Sequence, residues 1–152
     1  MPSALRPALW GPEMSDQLTT FTLAGALYGV DMRRVQEALR GQARTTVPLA
    51  APSIAGLISL RGEVVLTIDL RTRLGLEPLD AGLEPMMVVV KVDGESISLL
   101  VDDIGDVIDV EGRPFDAPPD TLPTGLREVI LGAYQLESSL LLALDIDRVT
   151  GV

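Results

Sequence analysis

The side chains best suited to moving protons near neutral pH are missing from this chain. It contains no His, no Cys and no Asn. Without Cys there is no disulfide, no thiolate nucleophile and no Cys-type zinc site. Without His, a Ser-His-Asp triad cannot be built. Catalysis would have to rest on carboxylates, Ser, Tyr, Arg or the single lysine, Lys91. The densest acidic group is Asp102, Asp103, Asp106, Asp109 and Glu111. Its spacing lacks the alternating acids, the Gly and the Glu at position twelve of a calcium loop. It reads instead as solvated carboxylates around a hairpin, with Ile104, Val107, Ile108 and Val110 supplying the buried contacts. Asp145 and Asp147 have the types for paired acid–base work, but beside an apolar run Asp145 reads as a helix cap. Asp69 before Leu70-Arg71 reads the same way. Lys91 lies mid-strand with Ser96 and Ser98 across a hairpin, which leaves a Ser-Lys dyad as a remote option. No G-x-S-x-G, P-loop or dinucleotide fingerprint occurs. The expectation is a binding module without cofactor or metal.

Two residues suit binding better than catalysis. Arg61 stands between Leu60 and Gly62, in a turn that ends an apolar element and feeds a strong strand. Gly62 permits a tight turn, which would project the guanidinium from a rigid base. Arginine forks pair with planar acceptors and are enriched at interface hot spots. Glu37 lies at the polar edge of a short helical pattern. By residue type alone, both also fit an ordinary solvated surface.

The elements that must position them are short. The 152 residues are 47% hydrophobic but only 3% aromatic, so the core must be aliphatic. A formal charge of −10 repels phosphate backbones and anionic membranes. No apolar run approaches the length of a membrane-spanning helix, and the N-terminus does not read as a secretory signal. A cytoplasmic protein is expected, with no nucleic-acid partner and no direct membrane insertion. Residues 1–16, with three prolines and no period, read as a mobile tail; Met14-Ser15-Asp16 would make a natural translation start.

From Gln17 onward, strand signals dominate. Thr20 to Ala24 and Leu27 to Val30 read as a hairpin across Gly25. Asp31 reads as the cap of a short helix, with Met32, Val35 and Leu39 at helical spacing and Gly41 closing it. Thr45 to Pro52 is a Pro-bounded loop or edge segment. Ile54 to Ile58 is a short apolar element, Ser59 to Gly62 a turn, and Glu63 to Ile68 a strand. Asp69 caps a brief helix. The stretch 76–85, with two prolines, reads as a linker near the middle of the chain. Met86 to Val92 reads as a strand buried on both faces, and Asp93-Gly94 turns it into Ile97 to Val101. Gly105 marks a bulge or turn before Val107 to Val110. Arg113 to Pro123 reads as loop, and Val129 to Leu136 with Leu140 to Ile146 as a last hairpin. Many short strands with brief helices predict one or two small β-barrels.

Read in order, several segments resemble one family. Tyr28-Gly29-Val30-Asp31, Val35-Gln36-Glu37, Val47-Pro48, Ile54-x-Gly56, Leu60-Arg61-Gly62-Glu63-Val64-Val65 and Ile68-Asp69-Leu70-Arg71 look like the first half of CheW, the chemotaxis coupling protein family. Val101-Asp102-Asp103-Ile104-Gly105-Asp106-Val107-Ile108 is similar to its second-half signature, and Ile130-x-Gly132 with Leu141 to Ile146 to its closing hairpin. The resemblance spans residues 17–150 in one register. It implies a mainly β fold, in which two SH3-like five-stranded β-barrels pack on a shared apolar core with short helices. It implies a scaffold that performs no chemistry and joins the cytoplasmic tips of methyl-accepting chemoreceptors to the regulatory domain of a CheA-type histidine kinase. Such a protein is expected to be monomeric when free and part of an array when assembled. Residue by residue, the resemblance implies receptor contact at Arg61, Gly56 and Val107, and kinase interaction at Val35 and Glu37. Ser59 stands where the family usually has Asn, so an amide is lost beside the L-R-G turn. Leu66 stands where Pro is common, which restores a backbone N–H. A CheW-like scaffold of a pilus-motility or surface-sensing pathway shares these motifs, and a carboxylate-dependent small-barrel enzyme is the more remote reading.

Overall fold

The computed structural model describes residues 16–80 and 82–151. The expected tail over 1–16 therefore lies outside the described residues except for Asp16. The first hairpin forms as expected. Strands β1 (Gln17–Leu23) and β2 (Ala26–Asp31) pair antiparallel across Ala24-Gly25. Both turn residues have positive φ, 51° and 83°, the geometry that matches the right-handed twist of the flanking strands.

The helix expected next is not present. Asp31 does accept the Arg33 N–H, at 3.0 Å, but it caps only a single 3-10 turn, Met32–Arg34. The chain then becomes β3 (Val35–Arg40), with Val35, Glu37 and Leu39 on the more buried face and Gln36, Ala38 and Arg40 exposed. Over so few residues, apolar spacing is compatible with either period. The antiparallel ladder from Val35 to Arg40 along Met86 to Val90 decides the outcome.

The remaining elements follow the sequence closely. They are β4 (Ile54–Leu60), β5 (Glu63–Asp69), α1 (Leu70–Arg73), β6 (Met86–Val92), β7 (Glu95–Val101) and β8 (Asp103–Asp109). After them come β9 (Phe115–Asp116), α2 (Thr124–Arg127), β10 (Ile130–Gln135), β11 (Leu140–Leu144) and α3 (Ile146–Val149). Asp69 and Asp145 cap α1 and α3 through the N–H groups of Thr72 and Arg148, as their positions predict. Gly105 sits within β8 at a bulge: the register against β1 shifts between Thr19 and Phe21. The proline-rich stretch after Arg113 contributes the two-residue β9, where only loop was expected. Phe115 and Asp116 reach a ladder because the Cβ-less Gly132 lets them lie against β10.

The strands form two sheets, ordered β8-β1-β2-β11-β10-β9 and β3-β6-β7-β5-β4. The first therefore has six strands rather than five. Among the described residues, no backbone ladder joins the outer strands β8 and β9, or β3 and β4, into a closed barrel. Nor do the sheets divide at the linker. Residues 76–85 connect α1 to β6 within the five-stranded sheet, whereas β2 pairs in parallel with β11 from the far end of the chain.

Between the sheets lies the principal core. The six-stranded sheet contributes Phe21, Leu23, Tyr28, Val30 and Leu144, and the five-stranded sheet Ile68, Val88, Val90, Leu99 and Val101. Leu70, Leu126, Ile146 and Val149 close it from the helices. Residues Met87 to Val90 have no exposed surface, so β6 is buried on both faces as its composition predicts. Each aliphatic side chain taken from water adds about 1.5–3 kcal/mol. Each sheet also buries a smaller cluster on its other face, around Leu18, Tyr134 and Leu141 in one and around Ile58, Val65 and Met87 in the other.

One polar contact spans the sheets beside this core. Asp102 is the residue at which the chain leaves β7 for β8. Its carboxylate takes a forked pair of hydrogen bonds from Arg71, at 2.7 and 2.5 Å, and a third from the Ala24 N–H at 2.8 Å. Arg71 also donates to the Glu77 carbonyl at 2.7 Å. The expectation of a solvated acid fails here, since the side chains of Arg71 and Asp102 are only 15% and 18% exposed. Hydrogen bonding from Arg71 holds the Asp102 carboxyl below the ordinary carboxylate range. With a depressed folded pKa, the stabilisation is complete above the unfolded value, about 3.9 for Asp. It is lost as pH falls through the lower folded value. Asp102→Asn is expected to cost about 1.5–3 kcal/mol at pH 7, measured by urea unfolding. The gap from wild type should shrink as the pH is lowered below about 4.

Candidate functional site

The hairpin of β4 and β5 turns through Arg61-Gly62, with φ of 52° and 83°. Leu60 pairs with Glu63, so β4 runs through Ser59 and Leu60, and the turn is two residues rather than the four expected. The first position of such a turn favours Asn, Asp or Gly. An arginine held there with positive φ is an exception to local preference, and such exceptions cluster at functional positions. Its side chain is 73% exposed.

Arg61 Nη1 donates to Glu37 Oε2 on β3. The two residues whose implied partners differ, receptor for one and kinase for the other, are thus an ion pair with each other. Glu37 is the more sheltered, at 21% side-chain exposure. It follows a register shift between Val35 and Glu37 in the ladder with β6. Val35, half-buried, packs against the principal core from the start of β3. The outer strands of the five-stranded sheet therefore meet through side chains where no ladder joins them. A backbone bridge lies beyond: Thr45 and Leu57 exchange N–H to carbonyl hydrogen bonds of 2.9 and 2.8 Å. Sequence reasoning missed this contact of Thr45, because a single bridge leaves no periodic trace.

Gly56 serves that bridge. It is buried with φ 139°, and a Cβ there would lie 2.5 Å from the Thr45 carbonyl oxygen. Its position explains the requirement for glycine without any outside partner. Val107 stands apart from the other four residues. It is on β8, the outer strand of the six-stranded sheet, paired with Thr19 and 50% exposed. Among the described residues, no group of three or more His, Cys, Asp or Glu side chains is placed to hold a metal ion. No described helix is long and apolar enough to cross a membrane.

Two sheets packed on one aliphatic core, with short helices, define a mainly β domain. The family model described as "CheW-like domain" matches residues 17–151, and the chain belongs to that family. It is 32% identical over 137 residues to the chemotaxis protein CheW of Treponema pallidum, covering 87% of this chain and 80% of that protein. It is 28% identical over 134 residues to CheW of Bacillus subtilis, covering 88% and 86%. The crystal structure of the scaffolding protein TtCheW from Thermoanaerobacter tengcongensis superposes with a TM-score of 0.79 at 26% identity, covering 91% of this chain and 94% of that one. The chain is accordingly a chemotaxis scaffold protein of a non-enzymatic family.

The geometry at Gly56 yields a direct expectation. Gly56→Ala adds a Cβ against backbone that cannot swing away and strains a glycine-only φ, so it should destabilise the fold by about 2–4 kcal/mol. A denaturant midpoint lowered with unchanged slope is the expected result; an unchanged midpoint would show that the Thr45 strand gives way freely.

Proposed function

We propose that the chain couples the cytoplasmic tips of methyl-accepting chemoreceptors to the regulatory domain of a CheA-type histidine kinase, in the cytoplasm. The observation that carries this reading is the Arg61–Glu37 ion pair. It joins a residue implied in receptor contact to one implied in kinase contact. An exposed ion pair contributes only about 0.2–1 kcal/mol. A partner that offers Arg61 a better acceptor therefore breaks it at small cost. The freed Glu37 changes the edge that β3 presents, next to Val35. Val107 gives the opposite sheet an apolar contact at its rim. A receptor tip made of a helical hairpin fits such a surface through apolar anchors at helical spacing. Coupling is then a shift between two arrangements of the β3–β4 edge, limited by the difference in partner affinity for each.

The test uses a receptor cytoplasmic fragment and the kinase regulatory domain. Arg61→Glu should weaken receptor binding about tenfold or more while the unfolding midpoint moves little. The charge swap, Arg61→Glu with Glu37→Arg, restores an ion pair within the protein but not the receptor contact. It should recover any lost stability and leave receptor binding weak. Receptor affinity and kinase activation equal to wild type in the single variant would refute the coupling role of this pair.

A further inference from the structure

The two carboxylates that open α3 have different duties. Asp145 caps the helix through the Arg148 N–H. Asp147, in the first turn, has a side chain 67% exposed, yet it takes a forked contact from Arg34. Arg34 Nη2 donates to Asp147 Oδ1 at 2.7 Å, and Nη1 to Oδ2 at 3.5 Å. The pair joins the two sheets. Asp147 lies on the helix that continues β11 of the six-stranded sheet, and Arg34 ends the 3-10 turn that opens β3 of the five-stranded sheet. Both ends have a firm base. Ile146 and Val149, on either side of Asp147, are buried in the principal core, and Arg73 donates to the carbonyls of Arg148 and Val149. Arg34 Nε donates to the Lys91 carbonyl at 3.0 Å.

What Arg34 leads into is a bulge. Val35 pairs with Val90 and Glu37 with Val89, so Gln36 is an extra residue outside the ladder. A bulge bends its strand and re-aims side chains, and the ladder is disrupted there. Side chains hold it in place instead, each from a different element. Arg34 holds Asp147 on α3, Gln36 Oε1 accepts from the Ser96 hydroxyl on β7, and Glu37 holds Arg61 at the β4–β5 turn. Of these three contacts, only that of Arg34 reaches the six-stranded sheet.

We infer that Asp147 is a positioning residue: through Arg34 it sets the path of Val35 to Glu37, the segment implied in kinase contact, relative to the six-stranded sheet. The inference rests on the coupling role. An exposed ion pair adds little to the stability of a fold, so the contribution here is one of direction. Without the pair the bulge takes more than one path. Kinase affinity then falls by the fraction of molecules that keep the competent one. Asp147 acts through Arg34 and makes no kinase contact of its own.

Titration calorimetry of the full chain against a kinase regulatory domain and a receptor cytoplasmic fragment tests this. Asp147→Asn keeps the size of the side chain and removes its charge. It should bind the kinase domain about threefold or more weakly, with receptor affinity and urea midpoint as in wild type. Asp147→Glu restores the charge and should bind as wild type does. Arg34→Gln should also weaken kinase binding, and adding Asp147→Asn to it should cost nothing further, because the two residues act as one. The amide resonances of Val35, Gln36 and Glu37 should shift in Asp147→Asn and return in Asp147→Glu. Wild-type kinase affinity in Asp147→Asn would overturn the inference, as would losses that add in the double variant or amides that do not move. A wild type that binds no kinase domain is a different result: it refutes the coupling role and takes this inference with it.

Discussion

The structure depends on one apolar layer. Side chains from both sheets meet in it, and neither sheet could bury its inner face alone. Phe21 and Tyr28 stack at 6.0 Å on one side, against Val88 and Val90 of β6 and Leu99 of β7 on the other. With so few aromatic residues, the layer is filled by branched aliphatic chains, whose packing is dense but without directional preference. Direction comes from the polar contacts around it. The Arg71–Asp102 fork fixes where the chain leaves one sheet for the other. Arg73 adds a second tie, donating to the carbonyls of Val149 and Arg148 at the end of α3.

A scaffold built this way keeps its core away from its contacts. The residues implied in binding are at strand edges or turn tips, and the side chain of Arg61 is mostly in water. The exceptions are Val35, which packs against the core, and the buried Gly56. The burial of Gly56 against Thr45 means that a change there would reach a partner only by disturbing the path of the chain between β3 and β4. The same separation accounts for the missing chemistry. The densest acidic cluster divides on folding: Asp102 turns inward to Arg71, while Asp103 and Asp109 accept from backbone N–H groups of their own segment.

Much of this was legible in the residues. Val and Ile runs bounded by Asp-Gly or Arg-Gly marked the hairpins, and Asp69 and Asp145 marked helix starts, because those signals act within a few residues of themselves. The failures share one cause. At Met32 to Leu39 the local pattern suited helix or strand, and only β6, distant in sequence, selected the strand. The pairing of Thr45 with Leu57, the six-strand count and the membership of each sheet were likewise long-range facts. Arg61 and Glu37 were singled out separately, from residue type and family likeness. That they touch follows from the curvature bringing β3 and β4 together, which no spacing along the chain encodes.

The parallel pairing of Leu27, Tyr28 and Gly29 with Leu141, Leu142 and Ala143 has a consequence for how the molecule is made. A ribosome delivers the first hairpin early and its neighbour in the sheet almost last. The stretch from β3 to β7, whose ladders all lie within one continuous segment, can assemble while the rest is still being translated. The opening hairpin can lay Phe21 and Leu23 on that sheet, but the edge of β2 stays unpaired until the closing strands emerge. Nascent chains are therefore vulnerable along that open strand edge, which can pair with another chain until β10 and β11 emerge.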